Sequence, residues 1–509
     1  MKKYLLVFAA AFAVSGLRAQ EMSGADALIY AQDNLTGTAR FRAMSGAFGA
    51  LGGDLSAINV NPAGSAIFAN SQVGFTLTSY NPKNKANYFG TNTSENYSSF
   101  DVNQFGGAFV FKNHNPDSKW KKFAVSANYE NANNLDNDFY IAGTNPTNSV
   151  DSYFLGYANS AGLSAADYEF GGFFEDQYVN IGNFGGFGAQ QALIGYQGFV
   201  INPTGGNPDA TTFESNVPAG GNYYHDFLME TRGYNGKIAI NFAAQYGDNW
   251  YFGANVNGHF SDYLKWTSFY ESNGNDTANG LQWFEFNNQL RTYGSGVSLQ
   301  LGTIVKVTPS FRAGVSYDTP TWLWLNDELV QTFSFNDATG GTGGFRSPIN
   351  IYETYKLRVP GKWTGSLAYV FGTRGLLSVD YSVKDYANSH YGATGSNDSF
   401  YDVINDEIEA NMDMASTLRI GGEIRASNWS FRGGYRYEQS PYKDDTVMGD
   451  LTGFSGGLGY NWGRTRLDLA YNYWERDYQQ QFFVTGLTDP ANLKTQSHNV
   501  SASLTFEFR

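Results

Sequence analysis

Three groups of side chains in this 509-residue chain have the types and spacing to do chemistry. The first is charged and sits at alternate positions near the C-terminus: Arg419, Glu423 and Arg425, then Arg432, Arg436 and Glu438. A guanidinium donates two parallel hydrogen bonds to a carboxylate, so Arg419 and Arg432 are candidates to hold an acidic head group. The same set also suits a structural ladder along a wall, with Arg40 and Arg42 as further partners for its acids. The second group is aromatic. Tyr153, Phe154, Tyr157, Tyr168, Phe170, Phe173, Phe174, Tyr178, Phe184, Phe187 and Tyr196 crowd residues 131–223, and Trp322 and Trp324 fall in 319–349. Each buried aromatic hides ~150–250 Å². The group therefore suits either an apolar catch site, with Phe173, Phe174, Tyr178, Trp322 and Trp324 on a hydrophobic ligand, or a folded cap. The third is Asn61-Pro62-Ala63. Pro62 fixes its own φ and pushes Asn61 out of the α region, leaving the Asn61 amide to bond nearby backbone.

Other chemistry finds no support. His114, His225, His259, His390 and His498 are scattered without metal or haem spacing and read as ordinary surface or lumen residues. Asp276-Thr277 and the other Ser/Asp pairs assemble no triad, so no enzyme is expected. Gly171-Gly172 and Gly185-Gly186 lack the strand–turn–helix frame of a phosphate loop. There is no cysteine, which excludes disulfides, thiolate metal sites and lipidation at Cys. No cofactor is expected. With 33 Lys+Arg against 47 Asp+Glu the net charge is −14, which argues against a nucleic-acid partner.

The elements that must position these groups are strands. Val500, Ala502, Leu504, Phe506 and Phe508 alternate with Ser501, Ser503, Thr505 and Glu507, which puts one set on each face of a strand. Leu418 to Arg425, Phe431 to Glu438 and Leu377 to Val383 repeat the pattern. Aromatics are 17% of the chain, charges only 16% and mean hydropathy is −0.38, as expected of strands apolar on one side only. Tight turns at 247–249, 309–310, 372–375, 427–428 and 463–464, and a longer one at 113–120, alternate with long connections near 82–99, 131–223, 273–280, 319–349, 386–413, 441–449 and 484–496. Short turns at one end and long loops at the other are the rhythm of a transmembrane antiparallel β-barrel, here of 14 strands. A charge at the outward Leu504 should cost ~2–4 kcal/mol, whereas the inward Ser503 should accept one cheaply. Lys2 and Lys3 before the apolar run Tyr4–Val14 read as an exported chain's signal peptide over 1–19, with Gln20 as mature start.

Residues 20–70 do not alternate. Ser23-Gly24-Ala25-Asp26 caps a short helix running to Gln32, and a stretch rich in small residues follows to Gly64. Fourteen strands enclose a lumen too wide for side chains to fill, so this segment is expected to plug the barrel of 71–509. The alternative is a periplasmic arm.

The chain resembles the FadL/TodX family of outer-membrane transporters for hydrophobic compounds. The resemblance rests on Gly46-Ala47-Phe48 through Asp54-Leu55-Ser56-Ala57 to Asn61-Pro62-Ala63-Gly64, similar to the family's hatch, and on Phe311 to Pro320, Val359 to Trp363, Arg432 to Tyr435 and Gly457 to Tyr460. It implies a 14-stranded barrel in the outer membrane with an N-terminal hatch in its lumen, and a hatch motif at Asn61, Pro62 and Ala63. It also implies passive uptake of a hydrophobic ligand such as a long-chain fatty acid, released sideways among outer-membrane lipids through a kink in the third strand. That strand is expected at about Lys121–Asn131, where Asn128, Asn131, Asn133 and Asn134 weaken strand formation. The 131–223 connection and the charged lumen depart from the family pattern and fit an alternative: a barrel subunit or shuttle of an outer-membrane secretion machine with protein partners.

Overall fold

The structure, a computed structural model, describes residues 23–169, 172–276, 279–337, 341–395 and 399–508. The signal peptide over 1–19, the expected mature start at Gln20, and Phe170, Gly171, Thr277 and Arg509 lie outside the described residues.

Fourteen antiparallel strands close into a barrel. The first seven are β1 (Ser71–Tyr80, continuing as Pro82–Tyr88), β2 (Thr91–Asn96 and Ser99–Lys112), β3 (Trp120–Asn134 and Asn137–Asn145), β4 (Tyr223–Tyr246), β5 (Trp250–Ser272), β6 (Leu281–Lys306) and β7 (Phe311–Asp318 and Thr321–Asp337). They are followed by β8 (Thr342–Arg346, Asn350–Ile351, Tyr355–Val359 and Lys362–Val370), β9 (Gly375–Asp385 and His390–Ala393), β10 (Met414–Ala426), β11 (Trp429–Glu438), β12 (Leu451–Asn461), β13 (Thr465–Gln480) and β14 (Ala491–Phe508). Closure is by β1 against β14, Ser71 opposite Phe508 and Phe75 opposite Leu504. Closing the sheet removes both edges, which an apolar solvent requires because it satisfies no backbone group. No helix among the described residues is long and apolar enough to cross a membrane.

Alternation decides the faces. Phe105, Phe109, Ile238, Phe242, Leu301 and Leu469 stand exposed on the outer wall, while Gln104, Asn241, Gln300 and Asp468 are buried inside. Rings pair along the end with tight turns: Trp120 stacks on Phe123 at 6.1 Å, Trp250 stacks on Phe252 at 6.1 Å, and Trp462 meets Tyr460 edge-on at 4.7 Å. These form the aromatic girdle of a membrane barrel.

Several expected loops are strand instead. The barrel continues past the apolar band: β4, β5 and β6 have 24, 23 and 26 residues, where ~9–11 suffice to span. Polar alternation keeps pairing after lipid-facing residues end, so 319–349 holds the rest of β7 rather than a loop, and β3 runs on to Asn145. The connection after β3 folds into α3 (Asp151–Ala161), α4 (Ala165–Tyr168) and α5 (Phe174–Gln197, kinked at Gly186). Tyr153, Phe154, Tyr168, Tyr178 and Leu193 share an apolar cluster with Phe284, Phe286 and Phe333 on the rising strands, so the aromatics form a packed cap.

Candidate functional site

Inside the barrel lies the 23–70 segment. Its first helix, α1 (Gly24–Ala31), begins with the expected box: the Asp26 carboxylate accepts from the Ser23 amide and hydroxyl, both at 3.0 Å. Leu28 and Ala31 pack on Leu323, Tyr355 and Leu357 of the wall and on Ile408 of α6 (Ser399–Asn411), the helix after β9. A short helix, α2 (Ala39–Ala43), and two 3-10 turns at Ser56–Asn59 and Pro62–Ile67 complete a hatch buried almost throughout.

Wall glycines receive the Asn61-Pro62-Ala63 turn. Asn61 Nδ2 donates to the Gly49 carbonyl at 2.8 Å and to the Thr303 carbonyl of β6 at 3.1 Å, while its Oδ1 accepts from Ala63 N–H at 3.1 Å. A Cβ on Gly302 would overlap Asn61 Oδ1, one on Gly253 would overlap the Pro62 backbone, and one on Gly314 would sit 2.6 Å from the Gly49 carbonyl. Glycine inside a strand marks such close backbone approaches. That signal is present in the sequence but gains meaning only when three strands bring the glycines together.

The charged ladder is divided between a latch and a cavity. Arg40 of α2 reaches Glu423 of β10 at 3.0 Å, and Glu423 also accepts from Arg432 at 2.6 Å and Arg425 at 2.6 Å. Arg432 bonds Asp468 at 2.7 Å as well. Arg432 is therefore occupied by two wall carboxylates, one of which, Glu423, also holds Arg40 of the hatch. Arg42 pairs with no acid among the described residues; it donates to Asn472, Thr78 and Tyr80 at 3.1–3.3 Å. Asp380 adds a second anchor, accepting from the Phe48 and Gly49 amides at 2.9 Å. Ser503 is fully engaged too, accepting from the Ala39 amide at 2.6 Å, so the cheap charge expected there is corrected: that inward position is sealed under the hatch.

Two cavities flank the strap 32–36. The larger, about 370 Å³, is lined by Leu28, Ile29, Leu35, Phe139, Met229 and Met448, with Arg42 and Arg436 among its few charged groups. The smaller, about 180 Å³, holds Arg419, Lys237, Lys362 and Lys384 with Asp33, Glu130 and Asp318. Asp33 bridges Lys362 at 2.7 Å and Lys384 at 3.1 Å. Burial alone would raise the Asp33 carboxyl, but the two ammonium groups outweigh it and hold the acid well below the usual carboxylate range. Arg419 is buried and forms no ion pair among the described residues.

The third strand breaks where its asparagines gather. The β2–β3 ladder ends at Gln104 opposite Glu130, and the pairing of β3 with β4 shifts register between Asn131 and Asn133. Beyond that point Thr91–Asn96 pairs with β1 and Asn137–Asn145 pairs with β4, so no backbone ladder joins β2 to β3 among the described residues. Asn133 donates to the Ile29 carbonyl of α1 at 3.3 Å, tying the break to the hatch. Residues 133–137 line the larger cavity.

Of the residues singled out from sequence, Asn61, Pro62 and Ala63 sit together on the wall, and Arg419 faces the smaller cavity. Phe173 is 80% exposed, Phe174 packs on Phe345 at 4.1 Å, and Tyr178 donates to Gln331 at 2.9 Å inside the cap. Trp322 and Trp324 lie on the outer face of β7, because its pairing with β6 slips by one residue across Thr319 and Pro320, from Asp318 opposite Gln300 to Trp322 opposite Val297, which turns Leu323 and Leu325 inward. The expectation of ordinary surface or lumen histidines fails at His225. It is buried in the cap between Tyr88 Oη at 3.0 Å and Glu271 Oε2 at 3.0 Å. No group of three His, Asp or Glu able to hold a metal occurs among the described residues.

The closed 14-strand wall, its lipid-facing exterior and its inner hatch define an outer-membrane-type β-barrel with the FadL fold. The chain is similar to a Pseudomonas aeruginosa FadL homologue, at 14% identity and a TM-score of 0.51 over 94% of this chain and 99% of that one. It also aligns with the Pseudomonas putida toluene transporter TodX (13% identity, TM-score 0.49, 94% of this chain and 100% of that one). The Ralstonia pickettii toluene transporter TbuX aligns at 16% identity and a TM-score of 0.46, again over 94% and 100%. No protein-family model and no curated protein matches the sequence.

Proposed function

We propose that the protein carries hydrophobic small molecules passively across the outer membrane, with the hatch as its gate. One observation carries the reading: an apolar cavity of about 370 Å³ lies between the hatch helix α1 and the wall, lined by residues 133–137 just past the end of the β2–β3 ladder. A ligand held there has hydrophobic contacts on Leu28, Leu35, Phe139 and Met229. Arg42, which donates to the neutral Asn472, Thr78 and Tyr80, gives the same cavity a cation suited to a carboxylate, so a long-chain fatty acid is the favoured ligand. The route is sideways through the interrupted ladder, because the lower lumen is filled by the latched hatch. The solved relative named as a FadL homologue has the same fold, which supports the reading.

The test is oleate binding and uptake in proteoliposomes, wild type against Leu35→Trp, which fills the cavity from the strap. Binding about tenfold or more weaker is expected, the equivalent of ~1.4 kcal/mol of lost contact. Unchanged binding and uptake in a folded Leu35→Trp barrel would place the ligand elsewhere.

A further inference from the structure

On the outer wall of β7, β8 and β9, two cations stand without a carboxylate among the described residues. Trp322 lies opposite Arg358 and Trp324 opposite Lys356, and Arg358 lies opposite His390. Their neighbours Leu323, Leu325, Leu357 and Tyr391 are buried inside, so these five side chains share the outer face. Trp322 and Trp324 are 44% and 40% exposed, and Lys356, Arg358 and His390 are exposed as well. Arg358 donates only to the Asn388 carbonyl at 3.4 Å, and Lys356 has no hydrogen bond or ion pair among the described residues. Three outward cations elsewhere are neutralised, whereas Lys83 and Lys85 of β1 form no ion pair among the described residues. Arg232 pairs with Asp138, Arg291 with Asp262 at 2.8 Å, and Lys494 with Glu475 at 3.2 Å.

The height of this patch says what faces it. Trp322 and Trp324 are 11 and 13 residues beyond Phe311, where β7 leaves its tight turn. At about 3.3 Å per residue and a tilt of about 40°, they stand roughly 28–33 Å above that turn. The apolar band of a barrel is about 25 Å tall, so the indoles mark its upper boundary and the two cations lie at head-group level. Tryptophan prefers that boundary, and Lys and Arg at that depth meet lipid phosphates. An acidic protein of net charge −14 that leaves two cations uncompensated there presents a basic island to the lipid.

We propose that Lys356 and Arg358, flanked by Trp322 and Trp324, bind the phosphate of an anionic glycolipid of the outer leaflet. The guanidinium fork takes two phosphate oxygens, the ammonium a third, and the indoles pack along the sugar and the start of the acyl chains. The site faces the membrane and is independent of the lumenal ligand.

The test is native mass spectrometry of the full-length barrel, released from nanodiscs that contain bis-phosphorylated lipid A in phosphatidylcholine. Wild type should retain lipid A, and Lys356→Gln/Arg358→Gln should retain about thirtyfold less, each basic contact contributing several-fold. Lipid A stripped of its phosphates should not be retained, and millimolar inorganic phosphate should not displace the intact lipid. Both side chains are exposed, so the variant should fold; if it does not, Arg358→Glu alone carries the same expectation. Equal retention by wild type and variant, or equal retention of the stripped lipid, overturns the proposal. Displacement by inorganic phosphate also overturns it, showing a free-anion site instead.

Discussion

Replacing Glu423 by Gln removes the charge that joins hatch to wall. Glu423 Oε2 takes both Arg40, at 3.0 Å, and Arg432, at 2.6 Å, and its side chain is wholly buried. Gln keeps the shape but cannot neutralise either guanidinium. Arg432 retains Asp468 at 2.7 Å, so the uncompensated charge falls on Arg40, left with the Gly53 carbonyl at 3.1 Å and the Phe48 ring at 5.1 Å. Removing one partner of a buried pair typically costs ~3–5 kcal/mol, or roughly 10²- to 10⁴-fold in the open population of the hatch. The chain contains no cysteine, so Ala57→Cys, at a buried hatch position, reports opening through its rate of maleimide labelling. When reclosing is faster than labelling, that rate follows the open population. Glu423→Gln should accelerate labelling by roughly 10²-fold or more at constant barrel integrity, followed by the heat-dependent gel shift of folded barrels. Labelling at the wild-type rate would show that Arg40–Glu423 is no latch and would refute the argument from uncompensated burial.

Two further outcomes use the same reporter. Gly302→Ala puts a Cβ into Asn61 Oδ1 and within 2.8 Å of Pro62 Cδ, so it should unseat the Asn61-Pro62-Ala63 turn at a cost of ~1–3 kcal/mol and speed labelling roughly 10- to 100-fold. The Asp33 acid is held below its ordinary value in the folded state, so its contribution is complete above the unfolded pKa of about 4 and is lost as pH falls through the lower folded one. Maleimide attacks the thiolate, so labelling is expressed relative to a free thiol at the same pH; that ratio should be flat from pH 8 to 5 and rise only in stronger acid, while Asp33→Asn should give a high ratio throughout, and a rise in the ratio between pH 7 and 5 would contradict the assignment.

Much of this was legible in the sequence because strand alternation is local. Val500 to Phe508 shows its two faces without reference to any other residue, and the tight turns at 247–249 and 427–428 lie where expected. The break in β3 was half legible. Asn128, Asn131 and Asn133 mark a weak strand, but the end of the ladder at Gln104–Glu130 depends on where β1 and β4 draw the chain. Trp322 and Trp324 misled because 319–349, read as a connection, continues as strand, and a one-residue slip of its pairing across Thr319 and Pro320 turns them outward. Ser503 misled because facing inward and facing water differ once a hatch fills the lumen.

The one-dimensional pattern determined that the chain is a barrel, how many strands it has and which side chains point inward, since period-two polarity acts between neighbours along the chain. Tertiary structure alone decided which inward charges pair: Arg432 between Glu423 and Asp468, Arg419 left facing a cavity. Ion pairing depends on distances of a few ångströms between residues up to 383 positions apart, as for Arg40 and Glu423, and no periodicity encodes that.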